Sequence, residues 1–151
     1  MDLALMRFKG FLQLRQDEKG LSNIYDPIRK KWLVLQPEEM VRQLVVAYLL
    51  EEKRYNKNRI KVEKSLRVNT LARRCDVLVY DRDMQPFLLI ECKAPQVKIS
   101  EATFRQLAAY NLPLRVPYLL AVNGIAAYCC RMDYEKESWE LLETVPEYPG
   151  F

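Results

Sequence analysis

The sequence predicts an α/β domain in which a helix, three strands, a second helix and two more strands build a mixed sheet flanked by helices. Three observations carry that prediction. Val41, Leu44, Val45, Tyr48 and Leu49 recur at helical spacing behind Pro37. Two apolar runs, 77–80 and 87–90, flank the turn-rich Asp81-Arg82-Asp83-Met84-Gln85-Pro86, a hairpin pattern. Residues 117–122 and 125–132 surround Asn123-Gly124, a strong short-range hairpin signal.

In chain order, residues 1–23 read as irregular, with a short strand over 8–14. Ile24, Tyr25 and residues 32–35 flank Asp26-Pro27-Ile28-Arg29-Lys30, a small hairpin. Pro37 opens the first helix at its first turn, and Glu38 and Glu39 sit near the positive end of its dipole. That helix runs to about Glu52. Strands follow at 60–68, 73–80 and 87–93, and Pro95 stops the last of them. Ser100 is the expected N-cap of a helix over 101–112, which Pro113 ends. A final strand is expected at 139–142. The 151 residues read as one domain: an N-terminal hairpin region of about 1–36, a core of about 37–132 and an acidic tail over 133–151.

Composition removes several chemistries. The chain has no histidine, which excludes a Ser-His-Asp triad, a histidine general base and His-ligated zinc. Its four glycines, Gly10, Gly20, Gly124 and Gly150, cannot form a phosphate-cradling G-x-x-x-x-G-K loop or a G-x-G-x-x-G turn. Cys75, Cys92, Cys129 and Cys130 show no Cys-x-x-Cys spacing, and with no signal peptide or apolar run of about 20 residues a reduced, cytoplasmic protein away from membranes is expected. Net charge is +4, unevenly spread. Between Lys53 and Arg74 nine basic residues face one acid, Glu63. Lys57, Arg59, Lys61, Lys64, Arg73 and Arg74 are candidate phosphate contacts, although a Lys-rich solvated edge strand accounts for the same pattern.

The chemistry concentrates at the central strand pair. Asp76 opens one strand, and Glu91 and Lys93 close its neighbour. Side chains alternate across a strand, so Glu91 and Lys93 share a face while Cys92 points to the other. A turn centred near Asp83 and Met84 places Asp76 roughly opposite Glu91. Two carboxylates and an ammonium then meet on one patch of sheet. Hard oxygen donors on rigid strands suit Mg²⁺ or Mn²⁺, and the lysine suits a transition-state anion.

At these residues the chain resembles the PD-(D/E)xK nucleases: Asp76 is followed by Glu91-Cys92-Lys93, with Cys75 standing where the motif's name has proline. Gln106-Leu107-Ala108-Ala109-Tyr110 resembles the Gln-x-x-x-Tyr motif of the subset that includes RecB-like and type I restriction nucleases. The stretches 37–43, 74–76 and 91–95 are similar to the N-terminal domain of the type I restriction enzyme R subunit. The resemblance implies a restriction-endonuclease-like αβββαβ core and Mg²⁺-dependent cleavage of DNA. It further implies Asp76 and Glu91 as metal ligands beside a main-chain carbonyl near Cys92, and Lys93 as the catalytic cation. An acid from the first helix completes many such sites; Glu39 is the candidate, with Glu38 and Glu63 as alternatives. Gln106 and Tyr110 would position the phosphate backbone or the lysine. Restriction-system motor or specificity subunits are the implied partners. The competing reading is a non-catalytic module whose basic rim binds nucleic acid or a partner and whose acids form an ion-pair network.

Overall fold

The computed structural model describes residues 1–68, 71–111 and 114–150; the side chains of residues 64–75 and of Tyr110 lie outside the described set. The chain begins with a 3-10 helix, Leu5–Phe11. The expected strand over 8–14 is not there. Leu5 and Phe8, three residues apart, both turn inward, and Phe8 meets the Tyr48 ring edge-on at 5.9 Å between centroids. A strand would have turned those two side chains to opposite faces. Only Leu14–Gln16 extends, as β1, pairing with β2 (Ser22–Asp26), which pairs in turn with β3 (Lys31–Val34) in a three-stranded antiparallel sheet. The turn between β2 and β3 is held by the buried Asp26 carboxylate, which accepts the Ile28 and Arg29 amides.

Helix α1 (Pro37–Glu51) follows, with Pro at its first turn and Glu38 and Glu39 just inside. Every residue from Val41 to Leu49 is buried, more than the apolar stripe requires. The helix is enclosed on two sides, by the main sheet and by the N-terminal 3-10 helix packed on it. Arg42 and Gln43 are therefore buried as well, and must find polar partners inside.

The main sheet has six strands in sequence order: β4 (Ile60–Val68), β5 (Leu71–Tyr80), β6 (Pro86–Cys92), β7 (Tyr118–Val122), β8 (Ala127–Asp133) and β9 (Ser138–Leu142). All neighbours are antiparallel except β6 and β7, which run parallel across helix α2 (Glu101–Asn111). This is a mixed α/β architecture, as the sequence predicts. Alternation along the strands gives each face its own core. Val77, Val79, Leu88, Ile90, Leu120 and Val122 pack toward α1, while Leu78, Leu89, Leu119 and Ala121 pack with Phe104 and Ala108 of α2.

The punctuation behaves as the residues dictate. Ser100 Oγ accepts the Thr103 amide at 3.3 Å, capping α2. The end of the expected helix, Leu112 and Pro113, lies outside the described residues. Asn123 Oδ1 accepts the amides of Ile125 and Ala126, and Gly124 takes the left-handed φ of 92° that its turn needs. Beyond β9 the chain returns to the core: Val145 and Tyr148 are buried, and the Tyr148 hydroxyl donates to the Tyr80 carbonyl at 2.9 Å. Among the described residues no helix is long and apolar enough to cross a membrane.

Candidate active site

The β5–β6 ladder is in register at Val77↔Ile90 and Leu78↔Leu89, which carries Asp76 to the position opposite Glu91. Among the described residues the pairing stops there, while β5 continues with β4 as far as the Leu71↔Val68 pair. At the point of divergence the Cys92 amide is taken by a side chain: it donates to Asp76 Oδ2 at 2.8 Å. Asp76 thereby closes the gap between two strands that are parting, which fixes its carboxylate in orientation.

The other Asp76 oxygen, Oδ1, accepts from Arg42 Nη2 of α1 at 2.8 Å. Glu91 and Lys93, two apart on one face of the β6 end, form an ion pair at 3.1 Å. Cys92 between them points into the α1-side core and is fully buried, as the alternation requires. The sequence thus brings Asp76, Glu91 and Lys93 together in the predicted arrangement.

Charge balance decides their protonation. Burial, reinforced by the negative charge of Asp76, pushes the Glu91 carboxyl up to about 7, with Lys93 opposing the shift. Burial acts to lower the Lys93 ammonium, but its hydrogen bond to Glu91 and the surrounding carboxylates outweigh that, so its pKa rises. Lys93 is therefore held protonated. Burial raises the Cys92 thiol well above the ordinary value, which removes it as a thiolate nucleophile.

Among the described residues the partners found for Asp76 are Arg42 and the Cys92 amide, not Glu39. The Glu39 carboxylate accepts from Arg29 at 3.0 and 3.1 Å and from Arg42 Nη1 at 2.7 Å, and Gln43 is a third donor at 3.2 Å. Glu38, four residues before Arg42, is half exposed and lies 3.4 Å from Arg42 Nη2. Its field reaches both Lys93 and Cys92. Glu63 reaches the same Nη2 at 3.1 Å from β4. It does so from a φ of 56°, between Val62 and Lys64, which keep their partners Val77 and Cys75. A left-handed, non-glycine residue inside a strand is strained by roughly 1–2 kcal/mol. That strain sits at the one step of the ladder next to Asp76.

Arg42 is the residue the sequence reading missed. It joins Glu38, Glu39, Glu63 and Asp76, and it is 5 % exposed. The signal was present: Arg42 follows Glu38 by four and Glu39 by three, the spacings that pair side chains on a helix. Reading only the apolar stripe left it out.

The remaining candidates are spread more widely. Gln106 is exposed on α2 and is not among the hydrogen-bond partners found for Asp76, Glu91 or Lys93 among the described residues. The Tyr110 side chain lies outside the described residues, as do those of Lys64, Arg73 and Arg74. Lys61 is exposed on β4 and Lys57 is exposed in the short 3-10 helix, Lys57–Arg59, that precedes it; Arg59 is half-buried and turned to the Met84 sulfur.

No curated protein matches the chain. The profile described as "Type I restriction enzyme R protein N terminus (HSDR_N)" matches residues 37–146, from the first residue of α1 to beyond β9, and so spans α1, Asp76, the Glu91–Lys93 pair and α2. The chain belongs to that family.

Proposed function

We propose that this chain is the nuclease domain of a restriction system, hydrolysing DNA phosphodiesters with a divalent metal held at Asp76 and Glu91. The observation that carries the reading is that Asp76 and Glu91 stand opposite each other just beyond the last β5–β6 pair, with Lys93 ion-paired to Glu91. The element order from α1 through three strands and α2 to β7 agrees with a restriction-endonuclease-like αβββαβ core.

The residues fit a hard cation. Asp76 and Glu91 offer carboxylate oxygens, and the carbonyl of Cys92, whose amide is bonded to Asp76, would be the main-chain donor. Among the described residues no group of three or more acidic or cysteine ligands forms by itself, so such an ion keeps water and phosphate oxygens in its shell, as Mg²⁺ does in phosphoryl-transfer sites. Burial first, and the second carboxylate Asp76 after it, raise the Glu91 pKa, and a cation beside the pair would oppose that shift. When bound, the metal supplies a Lewis acid that activates a water and draws charge from the scissile phosphate.

The chain's own groups do the rest. Asp76 is clamped by Arg42 and by the Cys92 amide, so it presents a fixed ligand. Lys93, protonated, supplies positive charge where the phosphate becomes most anionic. It cannot serve as a base near neutral pH, because its neighbours raise its pKa. Exposed Lys57 and Lys61 extend a basic edge for the DNA backbone.

Mn²⁺ titration calorimetry and plasmid cleavage test the reading together. The wild type should bind Mn²⁺ and nick plasmid, and Asp76→Asn should lose both. Equal Mn²⁺ binding by the two proteins overturns the assignment of the ligand. Metal binding without cleavage, with the partner proteins of a restriction system present, favours the non-catalytic module.

A further inference from the structure

We infer that Arg42 supplies a built-in cation in place of a second divalent ion, so that this centre takes a single metal, on the Glu91 side of Asp76. The inference deepens the nuclease reading and depends on it for its catalytic consequence, but its test does not depend on cleavage.

The geometry around one nitrogen carries it. Arg42 Nη2 lies 2.8 Å from Asp76, 3.1 Å from Glu63 and 3.4 Å from Glu38, while Nη1 lies 2.7 Å from Glu39. An Nη has two hydrogens, so it can make two good hydrogen bonds; the third carboxylate is held by charge alone. Oxygens from three elements thus converge on a point of positive charge, and among the described residues no three acids hold metal-ligand geometry while the guanidinium stands between them. They come from α1, β4 and β5. A small divalent ion at that point would draw the same oxygens in to about 2.1 Å, a movement of roughly 1 Å for each side chain.

The surroundings agree. Arg42 is 5 % exposed, and its Nε–H is buried with no hydrogen-bond partner among the described residues. A guanidinium placed for its own sake would satisfy all of its donors. This one leaves Nε unmet in order to bring both Nη atoms to the carboxylates. Three of the four acids face solvent: a cleft of ≈ 470 Å³ is lined by Glu38, Glu39 and Glu63 beside Arg42, Arg29 and Lys31, while Asp76 is not on its wall. Glu63 keeps its strained φ of 56° while reaching Nη2, so the backbone itself is bent toward this point.

The consequence for the site is an asymmetry about Asp76. Its Oδ1 accepts from Arg42 and its Oδ2 from the Cys92 amide, and Glu91 stands across the strand pair from it. Arg42 is thus a positioning residue. It turns Asp76 toward one metal position and, by its charge, denies the other.

The test uses Glu91→Gln as background, which takes away the Asp76–Glu91 position and isolates the Arg42 point. Mn²⁺ binding by calorimetry and the thermal midpoint with and without Mn²⁺ are measured on E91Q and on E91Q with Arg42→Met, whose apolar stem reaches only about as far as Nε. E91Q should bind no ion and show no shift. The double variant should gain an ion and rise by roughly 5 °C in saturating Mn²⁺. A double variant that responds to Mn²⁺ no more than E91Q overturns the inference, and so does one that stays unfolded in Mn²⁺ as it does without. The unaltered chain gives an independent check: it should bind one Mn²⁺, and binding of two overturns the inference whatever the variants do. An unaltered chain that binds none, beside a double variant that gains an ion, upholds Arg42 as the cation while removing the nuclease reading.

Discussion

At the scale of single residues, the site divides labour between two side chains two positions apart. In the proposed centre Glu91, whose pKa is raised, would be a ligand, and Lys93, held protonated, a cation with no ligand role. Lys93→Ala should therefore keep Mn²⁺ affinity within a few-fold and lose cleavage by about 10²-fold or more, the loss typical of removing one transition-state contact. Undiminished plasmid cleavage by that variant would make the lysine incidental. Glu91 carries the pH dependence. Its folded pKa of about 7 lies above the unfolded value of 4.5, so the folded state binds the extra proton between those limits. Stability from this group is then present below pH 4.5, declines as pH rises toward 7, and stays lost above it. Glu91→Gln should raise the thermal midpoint relative to wild type at pH 8 and leave it nearly unchanged at pH 4, as read by metal-free melting curves. Asp76, Glu91 and Lys93 were legible because spacing and strand alternation alone fix them on one face. The Arg42 guanidinium was not: its burial follows from α1 being enclosed on two sides, which no single stretch of sequence states.

At the scale of elements, the decisive event is that β5 outlasts β6. Among the described residues the ladder to β6 runs from Tyr80 to Val77, whereas the ladder to β4 continues to Leu71. The β4–β5 pair, with the short 3-10 helix before it, carries the basic stretch from Lys57 to Arg74. Strand existence and even the bounds of β4 could be read from alternation, because Ile60 and Val62 turn into the α1-side core while Lys61 between them is exposed. The left-handed φ at Glu63 could not be read, since nothing in Val62-Glu63-Lys64 departs from a regular strand pattern. Likewise the N-terminal 3-10 helix forms because Phe8 finds Tyr48, a contact across forty positions of chain. If the β4 edge tracks DNA, then Lys57→Glu with Lys61→Glu should weaken binding to all sequences alike. It should also flatten the dependence of log affinity on log salt by about 2, near 0.9 for each phosphate that is no longer neutralised. Filter binding at several salt concentrations reads both quantities, and an unchanged slope would take these lysines off the interface.

At the scale of the whole molecule, what matters is what remains once the sheet, its two helices and the N-terminal sheet have been assigned. Reading DNA sequence takes an element that enters a groove and offers several hydrogen-bonding side chains to base edges. The β4–β5 ribbon beyond Asp76 has the width for a major groove, but much of its sequence is apolar, with Leu66, Val68, Leu71 and Ala72 among its residues. Its polar members include Arg67, Arg73 and Arg74, suited to phosphates as well as to bases. Neither a phosphate-cradling glycine loop nor a histidine base occurs in these 151 residues, so any cleavage by the chain runs on metal, Lys93 and the substrate's own geometry, without ATP. The expected behaviour is weak, sequence-independent nicking. Purified chain incubated with Mn²⁺ and then Mg²⁺ should convert supercoiled plasmid slowly to open-circular and linear forms, with ends scattered over the sequence when mapped. Cleavage should rise by about tenfold between pH 6 and pH 8, as the Glu91 proton that competes with the metal is lost through a pKa of about 7. Discrete fragments of defined sequence would show that the ribbon, or another surface of the fold, reads bases after all. A rate that falls across the same pH interval would show that Glu91 works protonated, and would remove it from the ligand set.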